Sequence, residues 1–73
     1  MTSVPTMFAP GDVARLLGVS PKTVTRWCRE GRLTAFRTPS GHRRIPVVAL
    51  LAFLREMGVE DDAARKMLRS LVA

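Results

Sequence analysis

The sequence predicts a small, mainly α-helical domain: four short helices with a two-stranded β-hairpin between the second and the third. Three observations lead there. Apolar residues recur at helical spacing in four separate stretches, with Gly18, Gly31 and Gly58 just beyond three of them, where a left-handed residue ends a helix. Between Gly31 and Pro46 the apolar period drops to two around the turn-forming stretch TPSG. The length, 73 residues, suits one domain with a modest core.

Residues 1–7 are expected to be a flexible tail and residues 8–73 the folded domain. The start, MTSVPTMF, has no basic run ahead of an apolar stretch, so no signal peptide is expected. The longest apolar run, VVALLAFL, is far too short to cross a bilayer, and no membrane partner is expected. Cys28 is the only cysteine; it cannot close an internal disulfide, which points to a reducing compartment. A cytoplasmic, nucleoid-associated location is the expectation.

The first helix is expected near Pro10, a residue suited to the first helical position. Val13, Ala14, Leu16 and Leu17 fill its inner side and Gly18 ends it. Ala9 falls at the N-cap, where it has no acceptor to offer; Asp12 in the first turn compensates through the macrodipole. The second helix, with its caps, is residues 20–30. Ser20 is its N-cap, Pro21 its first helical residue, and Gly31 terminates it. Val24, Trp27 and Cys28 fall on one face, Lys22, Thr23 and Arg26 on the other, with Val19 between the helices. Two helices joined by GVS have the layout of a helix-turn-helix.

The hairpin follows. Leu33, Phe36 and Ile45 alternate with polar residues as in half-buried strands. Proline second and glycine fourth in TPSG suit a type I turn followed by a left-handed residue. Pro46 closes the second strand and opens the third helix. Val47, Leu50, Leu51, Phe53, Leu54 and Met57 make that helix apolar around much of its circumference, as a central core helix is. In the last helix Glu60, Asp61 and Asp62 lie at the positive end and Arg65, Lys66 and Arg69 come later, an order that suits the dipole. Ala64, Met67, Leu68, Leu71 and Val72 form its apolar stripe.

The charge is unevenly placed. The net charge is +6, yet residues 1–46 hold eight basic and two acidic side chains, while residues 47–73 hold four of each. Charge gathered in one part of a chain fits a polyanionic partner better than it fits general solubility. The stretch RTPSGHRRIP, residues 37–46, packs three arginines and the only histidine around a turn. Mutual repulsion makes that arrangement unfavourable alone, and bound phosphates relieve it, because guanidinium forks match phosphate oxygens. A hairpin behind a helix-turn-helix makes a winged helix-turn-helix. Helix 20–30 would enter the major groove of double-stranded DNA, and the wing, residues 34–46, would lie on the phosphate backbone.

The strings VARLLGVSPKTVTRWCREGRL and RTPSGHRRI resemble the MerR-like winged helix-turn-helix superfamily over roughly residues 8–57. The short form is most similar to BldC-like developmental regulators of actinobacteria and to excisionase-type domains; it is also similar to the N-terminal DNA-binding domain of serine-recombinase transposases. The resemblance implies DNA binding. It places Lys22, Thr23 and Arg26 at recognition-helix positions and His42 and Arg43 at wing positions that grip the backbone. The long dimerising coiled coil and effector-sensing region of classical members are not carried over to this sequence, and Ala9 replaces their usual hydroxyl cap.

The candidate DNA contacts are therefore Ser20, Lys22, Thr23, Arg26 and Arg29 on the recognition helix, with Arg29 and the additional Thr25 secondary to Lys22, Thr23 and Arg26. On the wing they are Arg37, Ser40, Gly41, His42, Arg43 and Arg44. Arg26 could fork onto a guanine edge or only touch phosphate. For His42 the competing reading is a structural or exposed histidine. Trp27 could stack on a base, but its place on the apolar face favours core packing. No metal is expected, since one cysteine and one histidine cannot complete a site. No catalytic constellation is present, so the chain reads as no enzyme, with no cofactor and no small-molecule effector. Protomers are expected to be single in solution and to meet on DNA. The two functions compatible with these residues are a sequence-specific transcription regulator and, alternatively, an excisionase-like accessory or N-terminal domain of a recombinase or transposase. A third, a protein-interaction module built on the last helix, does not use the basic surface.

Overall fold

The computed structural model describes residues 7–72, with side chains through Leu71. In chain order the elements are β1 (Met7–Phe8), α1 (Pro10–Leu17), α2 (Pro21–Arg29), β2 (Phe36–Arg37), β3 (Arg43–Pro46), α3 (Val47–Glu56) and α4 (Asp61–Val72). The four helices and the hairpin are those expected, with one addition and one difference: Leu33, expected in the first strand, lies ahead of β2 in the turn that leaves α2, its N–H bonded to Trp27 O at 3.3 Å and its side chain buried. The hairpin is part of a three-stranded antiparallel sheet of order β1-β3-β2. Met7 pairs with Pro46 and Phe8 with Ile45 across one edge of β3; Phe36 pairs with Arg44 and Arg37 with Arg43 across the other.

β1 is two residues long and has no alternation to detect. It exists because Phe8 is only 5% exposed and burying its ring lays the adjoining backbone along β3. Met7, expected in the tail, is thus a strand residue; the rest of that tail, residues 1–6, lies outside the described residues.

Helix ends follow local chemistry. Ser20 Oγ accepts the Thr23 N–H at 3.2 Å and caps α2. Ala9 caps α1 by its backbone instead: its N–H donates to Asp12 Oδ2 at 3.1 Å, and Arg15 donates to Asp12 Oδ1 at 2.7 Å. Asp12 therefore makes a direct reciprocal bond in addition to its favourable place on the dipole. Gly18, Gly31 and Gly58 all have positive φ, at 71°, 78° and 90°. Arg55 holds both carboxylate oxygens of Asp61, at 3.2 and 3.1 Å, clamping the end of α3 to the start of α4.

The core draws on every helix and on β1 and β3. Val13, Val24, Leu33, Ile45, Leu50 and Leu54 are at most 1% exposed, each contributing about 1.5–3 kcal/mol of burial. Phe8, Phe53, Ala64 and Leu68 complete it. The stripe on α4 turns inward through Ala64 and Leu68, with Met67 and Leu71 packed at the margin; Val72, its last expected member, has a side chain outside those described. Two apolar residues expected inside are not. Phe36 is 47% exposed because β2 is the edge strand and its outer face has no covering layer; Met57 is 56% exposed because it is the C-cap of α3, past the last turn that faces the core.

Candidate nucleic-acid interface

Helical geometry sorts α2 into two faces. Lys22, Arg26 and Arg29 stand at i, i+4 and i+7, within one narrow sector at 100° per residue, and all three are exposed. Val24, Trp27 and Cys28 occupy the opposite sector; Val24 is fully buried and the other two pack at the core margin. Ser20 and Thr23 lie at the start of the helix, their hydroxyls 3.0 Å apart. Both are engaged in the cap, so their first role is to hold the N-terminus of α2. Thr25 is half-buried.

The wing is closed by the turn Thr38–Gly41. Gly41 N–H donates to Thr38 O at 2.8 Å and Thr38 N–H to His42 O at 2.8 Å, which is a type I turn followed by a left-handed residue. Gly41 takes φ 89°, a conformation a Cβ would strain. The side chains at the tip are ordered as well. Thr38 Oγ1 lies 2.9 Å from Ser40 Oγ, Ser40 Oγ lies 3.1 Å from His42 Nδ1, and the His42 N–H reaches Thr38 Oγ1 at 3.3 Å. Thr38 was not among the expected site residues; a threonine opening a P-S-G turn is the signal that could have found it.

Strand register separates the wing arginines. Directly paired residues share a face and successive residues alternate. Arg37 and Arg43, paired together, lie on the same face as Ile45 and Phe8, the face turned to the core. Past the end of the core that face meets α2: Arg43 is close enough to lower the Cys28 thiol's pKa, partly offsetting the larger upward push from burial. The thiol thus stays protonated and unreactive at neutral pH. Arg44, with Phe36, lies on the opposite face, and its guanidinium donates to the Arg43 carbonyl at 2.9 Å. The structure therefore puts Arg37 and Arg43 on one face of the wing, Arg43 beside the inward, Cys28 side of α2, and Arg44 on the other face.

Among the described residues no carboxylate lies within 4.0 Å of Lys22, Arg29, Arg37 or Arg43. Arg26 and Arg32 share Glu30 at 3.9 and 4.0 Å, long exposed pairs that contribute little. The basic surface is thus open to an external anion. Trp27 stacks obliquely on Phe53, ring centres 5.0 Å apart. It also lines an open groove of about 290 Å³ with Gly31, Arg32, Phe53, Glu56 and Met57. Its indole belongs to the face opposite Lys22, Arg26 and Arg29. Among the described residues no helix is long and apolar enough to cross a membrane.

A family model described as a helix-turn-helix domain matches residues 8–58, spanning α1, α2, the wing and α3. No curated protein matches the chain.

Proposed function

The chain belongs to the helix-turn-helix domain family, a DNA-binding family, and from that premise we propose that it is a sequence-specific transcription regulator of the winged, MerR-like and BldC-like type. In this reading α2 lies in the major groove, with Lys22, Arg26 and Arg29 toward the DNA and Thr23 at the entry. Arg37, Arg43 and His42 lie on the phosphate backbone, and the close turn at Ser40 and Gly41 lets the chain approach it. The observation that carries the reading is the arrangement of cations. The exposed sector of α2 and the core-side face of the wing hold Lys22, Arg29, Arg37 and Arg43, which have no carboxylate partner among the described residues, and Arg43 adjoins α2 at Cys28.

Selection from a random duplex library, followed by footprinting of the winning sequence, tests it. A recurrent motif bound well above random DNA is expected, and its loss in Arg26→Ala supports major-groove readout. Failure to enrich any sequence would overturn sequence-specific regulation. Chromatin immunoprecipitation then assigns the role: sites at promoters fit a regulator, and sites confined to recombination junctions would replace it with an excisionase-type accessory.

A further inference from the structure

The geometry points to a second layer in the wing: Thr38 and Ser40 are positioning residues that hold the His42 imidazole with Nε2–H as a donor directed away from the turn, toward a backbone phosphate. The inference rests on the DNA-binding reading above and adds residues to it.

One donor in the turn has a fixed direction. The His42 backbone N–H can only donate, and it donates to Thr38 Oγ1. The Thr38 hydroxyl can then give its own proton to Ser40 Oγ, 2.9 Å away. The Ser40 hydroxyl proton is then directed at His42 Nδ1, 3.1 Å away. Run in this order, every hydroxyl proton of the chain is used. Run in reverse, Nδ1 donates to Ser40, Ser40 donates to the second lone pair of Thr38 Oγ1, and the Thr38 proton is left to water, so the forward order is the one that keeps every hydroxyl proton inside the turn. In the forward order Nδ1 is an acceptor and the neutral ring carries its proton on Nε2, which is the arrangement proposed.

The position of the ring completes the case. Nδ1 is turned back into the tip, so Nε2, across the five-membered ring, faces outward from an exposed residue. A phosphate oxygen accepts hydrogen bonds and offers no proton, so only a ring with Nε2–H can meet it without a lone-pair clash. The positive groups on one face of the same hairpin, Arg37 and Arg43, supply the attraction that brings a phosphate there. His42 supplies direction. The two hydroxyls are spent on His42 and act on DNA through it.

A double-mutant cycle on the full chain, read together with the imidazole nitrogen shifts in NMR, tests this. S40A is expected to weaken DNA binding about threefold to tenfold, the usual worth of one hydrogen bond, and S40T to restore it. In an H42A background S40A is expected to cost less than about twofold, since the group it positions is gone. In the free protein the nitrogen shifts are expected to report Nε2–H in the parent and S40T, and a relaxed mixture of tautomers in S40A and T38V. Additive losses for S40A and H42A would show Ser40 contacting DNA by itself and overturn the relay. So would unchanged nitrogen shifts in S40A. If the unaltered protein bound no duplex, the function proposed above would fall, and the nitrogen shifts would still decide the relay.

Discussion

Arg43 and Arg44 are neighbours in sequence and opposites in the fold, and their replacement by alanine should separate them. The predicted contact set is Lys22, Arg26, Arg29, Arg37 and Arg43. Each phosphate neutralised contributes about −0.9 to the slope of log affinity against log salt, so four to five contacts give a slope of roughly −4. Arg43 lies on the core-side face of the wing with no carboxylate partner among the described residues, so Arg43→Ala should flatten the slope by about 0.9 and weaken specific and random duplexes alike. Arg44 donates to a backbone carbonyl on the other face, so Arg44→Ala should leave the slope within about 0.3 of the parent. The assay is fluorescence anisotropy on one selected and one scrambled duplex, between about 50 and 200 mM salt. Equal flattening by the two variants would refute the division of faces. A parent slope near zero would refute the electrostatic basis of the interface altogether.

Arg26→Ala should lower affinity for the selected site more than for scrambled DNA, by about 1–3 kcal/mol if the guanidinium grips a guanine edge; an unchanged ratio in competition titrations would reduce Arg26 to a backbone contact. Trp27→Ala should cost about 2–3 kcal/mol, below the 3–5 typical of fully buried aromatics, because the indole lines an open groove as well as Phe53. A melting temperature equal to the parent's with poor DNA binding would place Trp27 at the DNA. Burial raises the Cys28 pKa with Arg43 opposing, so Cys28 contributes stability at neutral pH that is lost as pH rises from its unfolded value through its folded one. Denaturant midpoints should therefore fall more steeply above pH 8 in the parent than in Cys28→Ala. Light scattering without DNA should give the mass of one chain, since Ala64 and Leu68 spend the α4 stripe on the core; a stable dimer would refute this.

The sequence by itself determined the helices, the turn and the two faces of α2. These are local matters: Ser20 caps through a hydroxyl three residues from its partner, Gly18 and Gly41 permit a left-handed backbone, and the i, i+4, i+7 spacing of Lys22, Arg26 and Arg29 sets their common sector. α2 and the hairpin were legible for that reason, and the family match over residues 8–58 covers both. The pairing of β1 with β3 was not legible, because it joins residues far apart in the chain. Only the pairing of Met7 with Pro46 makes a strand of two residues that have no pattern of their own. Only the pairing of Phe36 with Arg44 shows that Phe36 lies on an uncovered face and that Arg44 turns away from Arg43. The Thr38–Ser40–His42 chain likewise needed the turn to close before its hydroxyls could meet. Composition announces that three arginines crowd one hairpin; which of them face the same side is set by a register of period two, and a register exists only once β1, β2 and β3 have come together.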